Sequence, residues 1–315
     1  AYFNKYTYNN TKSQTISSAS GFSSRLMNIG EEYVRRGIEL SVDATAIKRS
    51  NFTWDINANI SKSHRYFAKI DEEFSTDDLW TKVGGRTDYY TYKLLDTDPN
   101  GNLIHKANGL PYKRPYAVLC GYTDPDFEWG IANNFRYKRF TLSMTFDGRV
   151  GGISWNNTEY RMLDSGVHPS TDNQWRYDQV VNGLKNYVGK GVKVVSGDVK
   201  YDQYGRITED TRVFAENDTA VWYEDYVKGS RQTMDWIQDK TFIKLRELAL
   251  GYDLPQSFAK KLGMSACSVS LIGQNLFVFS KNFKMVDPDG VDGIEDEDMT
   301  SPSVRYTGIN LKITF

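Results

Sequence analysis

Asp96, Asp98 and Asn100 stand two residues apart and Gly101 follows them. Oxygens staggered in this way open a calcium loop, where alternate side chains converge on one hard cation and a glycine turns the chain. The carboxylate that such a loop takes at its twelfth position is replaced by Ala107. Pro99-Asn100-Gly101 is also an ordinary turn signal. The first reading is therefore a turn, and the second a structural calcium on Asp96, Asp98 and Asn100. A further acidic run, from Asp287 through Asp289 and Asp292 to Asp298, has Val291 where a third ligand would stand. A solvated loop describes it better than a calcium loop.

Aromatic side chains are a separate resource. Trp80, Trp155, Trp175, Tyr177 and Trp222 fall in long irregular connections, together with Tyr89, Tyr90, Tyr92, Tyr223 and Trp236. Exposed rings can stack on sugar rings or pack on a partner. The competing reading is that they pack the connections against one another. Catalysis has no comparable support. His64, His105 and His168 share no ligand spacing, and neither Gly-x-Ser-x-Gly nor His-Glu-x-x-His occurs. The glycines from Gly148 to Gly152 follow a strand pattern that no helix continues, so they do not form a phosphate loop. The expectation is that the chain is not an enzyme and holds no certain cofactor.

The elements that position these residues are strands. Ile309, Leu311, Ile313 and Phe315 alternate with Gly308, Asn310, Lys312 and Thr314. Because the side-chain period of a strand is two, one face is apolar and the other polar. The same alternation runs through Ile38–Ala46, Phe52–Ile60, Phe127–Tyr137 and Phe140–Phe146. From Thr241 to Tyr252 the phase flips: Ile243 and Leu245 share one face, Leu248 and Leu250 the other. A bulge near Glu247 would account for this. In Cys267–Phe279 the apolar residues change parity at Ile272, and residues 2–13 carry a weaker strand pattern. The total is about eight strands of about nine to thirteen residues, long enough to cross a bilayer when tilted.

Connection lengths alternate. Lys48–Asn51 and Lys138–Arg139 are tight, and Pro255–Gly263 is one short helix with proline at its start and glycine at its stop. Residues 14–32, 68–125, 153–240 and 280–302 are long connections. Short turns at one end and long loops at the other characterise outer-membrane barrels. The pattern predicts a transmembrane antiparallel β-barrel, all-β, with the long loops facing outside. Aromatic residues make up 14% of the 315, including 21 Tyr and 16 Phe, which suits strands and interfacial girdles. The mean hydropathy of −0.57 fits a barrel, whose apolar residues are spread over alternating strands. The net charge of −1 argues against a nucleic-acid partner held by bulk electrostatics. Cys120 and Cys267 make no disulfide framework and are expected as unpaired thiols. No secretory leader is visible at Ala1-Tyr2-Phe3.

Three stretches carry a resemblance to a family. TFIKLRELALG (241–251), then YDLPQSFAKKLGM and SVSLIGQNLFVFSK, resembles the C-terminal region of SusC/RagA-type TonB-dependent transporters, with their Gly-Gln-Asn-Leu-Phe strand. YTDPDFEWGIANNFRYKRF (122–140) resembles a hairpin of that family. Asn28-Ile29-Gly30 with Arg36-Gly37-Ile38-Glu39-Leu40 resembles another of its strands. The resemblance implies that residues 1–315 are the C-terminal part of a plugged barrel of about 22 strands, with the plug and the N-terminal regions outside the sequence. It further implies outer-membrane import of a bulky nutrient, first an oligosaccharide and alternatively a peptide. The implied partners are a SusD-like surface lipoprotein, TonB through an N-terminal region absent from this chain, and outer-membrane lipid. Glu39, Asp43, Asp55, Asn57, Asn59, Glu128, Arg136 and Lys312 would then line the lumen or meet the plug. A stand-alone adhesin or porin barrel and a soluble all-β carbohydrate-binding or hydrolase module are the other classes.

Overall fold

The computed structural model describes residues 1–230, 234–291 and 303–315. Eight strands form one sheet in chain order: β1 (Tyr2–Thr7), β2 (Glu32–Arg49), β3 (Phe52–Lys69), β4 (Phe127–Tyr137), β5 (Phe140–Val150), β6 (Phe242–Asp253), β7 (Ala266–Ser280) and β8 (Tyr306–Thr314). Every neighbouring pair is antiparallel. In such a meander the connections fall alternately at the two ends. All the long ones therefore share one end, and Ser50-Asn51, Lys138-Arg139 and the helix α4 (Gln256–Lys261) share the other. The turn between β4 and β5 needs a left-handed residue, supplied by Lys138 at φ 53°. Gly263, at φ 73°, ends the α4 connection.

Register carries the alternation across the sheet. Phe135 lies opposite Leu142, Leu142 opposite Leu250, Leu250 opposite Leu271, and Leu271 opposite Ile309. One rung further, Tyr137, Phe140, Tyr252, Val269 and Leu311 align in the same way. Among the described residues no second layer covers this face: Leu40, Leu250, Leu271 and Leu311 are each about half exposed and Ile309 is 75% exposed. An apolar wall that wide, left uncovered, belongs against hydrocarbon rather than water. The opposite face is polar, with rungs such as Glu39–Ser61–Glu128 and Asp43–Asn57–Ala132–Thr145–Glu247. Asp55, Asn59, Arg136 and Lys312 share it. The expected sorting of the two faces is thus observed, and a soluble sandwich is not. Among the described residues β1 and β8 are not paired with each other, and no helix is long and apolar enough to cross a membrane.

Three expectations need correction. Strands β2 and β3 have 18 residues each. Their upper ends leave the apolar band, and the long connections pack over them. Val34 and Phe67 are buried, and the backbone of Phe67 bonds to Gly85. Residues 8–31 contain a hairpin of their own, Thr11–Thr15 with Ser24–Asn28. The irregularity in β7 falls at Asn275 and Leu276, where two residues are skipped between the Gln274 and Phe277 pairings. Two extra residues preserve parity, so Leu271 and Phe277 keep the same outward face. Cys120 and Cys267, by contrast, are free thiols as expected.

The long connections build a cap with its own small core. Ile104–His105 pairs in parallel with Val192–Lys193, which joins the 70–126 connection to the 151–241 connection. Tyr89–Tyr92 pairs with Val118–Tyr122, and Ile153–Trp155 with Ile237–Asp239. Ile104, Leu95, Val221 and Tyr226 are buried at its centre. Helices α1 (Asn157–Asp164), α2 (Gln174–Val180) and α3 (Tyr223–Ser230) lie in the second connection.

Candidate functional site

The polar face of the sheet and the cap above it are the two places where chemistry is concentrated. The bulge expected near Glu247 lies at Arg246, which is skipped between the Leu245 and Glu247 pairings with both neighbours. The extra residue lets Lys244, Arg246 and Glu247 all serve the polar side while Leu245 and Leu248 stay on the apolar one. A bulge of this kind re-aims a side chain. Here the Arg246 guanidinium forks between two carboxylates. Nε donates to Asp147 at 2.8 Å and Nη2 to the same carboxylate at 2.7 Å. Nη2 also donates to Asp289 Oδ1 at 2.6 Å, and Nη1 to Asp289 Oδ2.

Asp289 comes from the short turn Asp287–Gly290, which folds back from the β7–β8 connection onto the inner wall. Lys244, buried on that wall, donates to Asp287 at 2.5 Å and lies 3.4 Å from Asp289. Arg149, also buried, donates to the Pro288 carbonyl and stacks over Phe242 at 5.2 Å. Burial pushes the Asp289 carboxyl up, but its hydrogen bonds to Arg246, with that cation's charge and that of Lys244, hold it below the usual carboxylate range. For Asp287, burial is likewise outweighed, by the Lys244 and Ser303 hydrogen bonds. The reading of this acidic segment as a solvated loop is therefore corrected for residues 287–291: Pro288 and Val291 are buried. Asp292 to Asp298 lie outside the described residues. Beside this clasp the wall encloses a concavity of about 480 Å³ lined by Asn57, Asn59, Ser61 and Glu128.

In the cap, Asp96 and Asp98 are buried and Asn100 stands in the turn that follows. Asp96 accepts from Arg114 Nε at 3.1 Å and from Arg212 Nη1 at 2.8 Å. Asp98 Oδ1 accepts from the backbone of Asn100 and Asn102 at 2.9 and 2.7 Å, and Oδ2 from the Asn102 amide at 3.0 Å. Hydrogen bonds led by the Asn102 side chain lower the Asp98 carboxyl. These oxygens are turned to guanidinium and amide donors. Among the described residues no three His, Cys, Asp or Glu side chains are grouped as a metal would need.

The five aromatic candidates divide. Trp80 packs on Tyr89 at 6.0 Å, and Trp155 sits between Tyr92 at 5.0 Å and Tyr160 at 5.2 Å. These two are packed into the cap. Trp175 meets the edge of Tyr187 at 5.4 Å yet is 43% exposed, Tyr177 is 54% exposed and Trp222 36%. The first two stand on α2 and the third immediately precedes α3. The two helices are joined by Asn173 donating to the Tyr223 hydroxyl at 2.7 Å and by the Glu224 backbone donating to Gln179 at 2.9 Å. A cavity of about 120 Å³ lies among α1, α2 and α3.

Sequence reasoning missed His105 as a structural centre. Its Nδ1 faces the Val192 carbonyl at 3.2 Å and its Nε2 the Tyr226 hydroxyl at 3.0 Å. The carbonyl can only accept, so Nδ1 carries the proton and Nε2 accepts from Tyr226. Burial lowers the His105 pKa and raises that of Tyr226 to about 12. Both groups are neutral, and they anchor the parallel pairing between the two connections.

No protein-family model matches the chain. Among curated proteins it is 25% identical over 304 residues to TonB-dependent receptor P3 of Formosa agariphila, covering 86% of this chain and 26% of that protein. It is 23% identical over 354 residues to TonB-dependent receptor P26 of the same organism, covering 100% of this chain and 32% of that one. The chain thus spans about a quarter to a third of the length of the curated relatives it matches. Its fold superposes on the structure of the RagAB peptide transporter with a TM-score of 0.63 at 15% identity, over all of this chain and 33% of that one. The match to the RagAB importer in its closed-closed state gives 0.60. An uncovered apolar wall, a polar inner face and long loops gathered at one end are features of outer-membrane barrels, and they accompany similarity to TonB-dependent receptors and the fold of the RagAB transporter.

Proposed function

We propose that these residues form part of the wall and the extracellular mouth of an outer-membrane, TonB-dependent importer of a bulky polar nutrient. One observation carries the reading: an apolar face left open to hydrocarbon stands back to back with a polar face, and every long connection lies at one end. The unpaired edges at β1 and β8, and the fraction of each relative that the chain covers, support a larger barrel to which this sheet contributes an arc. TonB contact and a plug would come from the remainder of such a protein, and a SusD-like surface lipoprotein would close the mouth.

An oligosaccharide is the first assignment for the cargo, because Trp175, Tyr177 and Trp222 offer open aromatic faces of the kind that stack on sugars. A peptide is the second reading, favoured by the likeness to the RagAB peptide transporter. Growth of a deletion strain on single glycans and single peptides, with and without a functional TonB, tests both. Loss of growth on one nutrient, reproduced by loss of TonB, is expected. Uptake indifferent to TonB would overturn the importer in favour of a passive porin, and unaltered growth on every nutrient would favour an adhesin.

A further inference from the structure

We propose that Lys244 and Arg246 form a carboxylate-binding subsite of the inner wall, filled in this structure by Asp287 and Asp289 of the chain itself, and that a carboxylate-bearing cargo takes their place. The proposal rests on the importer reading and adds the chemical class of the cargo.

The cations are built into the sheet, whereas their partners come from a single turn outside it. Lys244 has its two carboxylates, Asp287 and Asp289, from that turn. Arg246 is held from one side by Asp147 of the neighbouring strand through Nε and Nη2, and this contact does not depend on the turn. Its Nη1/Nη2 edge is thereby fixed toward the position of the Asp289 carboxylate. A planar fork held in this way fits any carboxylate in two-pronged fashion. Departure of the turn would leave Lys244 without a counter-ion, which disfavours simple opening. Replacement of one carboxylate by another keeps both cations paired throughout. The adjoining concavity of about 480 Å³ is within the range of small-molecule sites, roughly 300–1,000 Å³. Asn57, Asn59 and Ser61 on its wall offer amide and hydroxyl groups to the uncharged part of a ligand.

The source of the carboxylate, uronic acid sugar or acidic peptide, is separated by the probes. Full-length transporter in detergent is titrated calorimetrically with trigalacturonate and with triglutamate, each against its neutral counterpart, trigalactose or triglutamine. Asp287→Asn with Asp289→Asn removes the internal competitor while keeping its shape. Freeing a site that is otherwise mostly self-occupied raises apparent affinity by about tenfold or more, and this gain is expected for one acidic probe and for neither neutral one. Adding Lys244→Gln should abolish the gain. Should the double variant fail to assemble, as read by heat-modifiable migration, Lys244→Gln alone is expected to remove the weaker binding of the same acidic probe by the parent protein. Equal affinities of parent and assembled double variant for both acidic probes would overturn the proposal, as would acidic-probe binding that survives Lys244→Gln. Since binding is measured without TonB, carboxylate binding with TonB-independent uptake would refute only the importer reading. TonB-dependent uptake without carboxylate binding would refute only the subsite.

Discussion

Trp54 and Asn133 meet on the outward face of the sheet, where the indole N–H donates to the Asn133 side-chain oxygen at 3.1 Å. Asn133 is the polar interruption in a run that otherwise presents Trp129, Ile131, Phe135 and Tyr137 on that face. In hydrocarbon no water can satisfy its amide, so the indole on the neighbouring strand does part of that work. Trp54 also stacks on Phe135 at 5.5 Å, which fixes the ring where the bond needs it.

Trp54→Phe keeps the stacking and removes the donor. It should destabilise the assembled barrel by about 1–3 kcal/mol, the usual cost of orphaning a buried polar group. Adding Asn133→Val should recover most of that loss, because both partners are then apolar. Urea unfolding of the full-length protein in lipid, run as a double-mutant cycle, measures the coupling. Additive single-mutant losses would show that the bond contributes nothing.

The bulge at Arg246 gives an unusual expectation for deletions. Removing Arg246 leaves Leu245 outward, Glu247 inward and Leu248 outward, a regular alternation. The barrel should still assemble, with the turn at Asp289 released. Removing Leu245 instead places Arg246 toward lipid, at up to about 2–4 kcal/mol near mid-membrane. Heat-modifiable migration after outer-membrane expression separates the two: the first deletion is expected to assemble and the second to be depleted.

These residues also mark how far the sequence could be read. The flip of apolar parity between Leu245 and Leu248 disclosed an extra residue, because a strand has a fixed period and any slip inverts its faces. The eight strands, the turn at Lys138-Arg139 and the helix from Pro255 were legible for the same local reason. The partner of Arg246 was not. Asp289 lies 43 residues further along, and nothing in its neighbourhood distinguishes an acidic residue that pairs from one that is solvated. The short strands of the cap were missed because segments such as Ile104–His105 are too brief to show a period. Asp96-x-Asp98-x-Asn100-Gly101 shows the converse. Its spacing allows a cation, yet Arg212, which supplies the positive charge, is 116 residues away.

His105 predicts a pH dependence of the cap. Its ordinary pKa is 6.5, and burial lowers it in the folded chain. Below 6.5 the unfolded cap takes up a proton that the folded cap refuses, so the unfolded state binds more protons and stability decreases as the pH is lowered. The contribution is intact above 6.5 and is lost progressively from there down to the lowered folded value. Limited proteolysis of the 70–126 and 151–241 connections should accelerate on acidification from about pH 7.5 to about pH 5, across the imidazole range. His105→Gln should flatten that response. Cleavage equally sensitive to pH in the variant would assign the effect to another group.

The aromatic candidates are separated by what each ring already touches. Trp155 is enclosed by Tyr92 and Tyr160, so Trp155→Ala should cost the cap on the order of 2 kcal/mol by leaving a void. Any loss of cargo binding should then follow that loss of structure. Trp175, Tyr177 and Trp222 have open faces, and their alanine variants should change stability by no more than about 0.5 kcal/mol. If they contact cargo or a partner at the mouth, at least one should weaken binding by more than about 1 kcal/mol, as rings at a contact centre do. Parallel measurement of cap unfolding and of cargo affinity on the full-length transporter places each ring. Unchanged affinity in all three exposed variants would remove α2 and the start of α3 from the recognition surface.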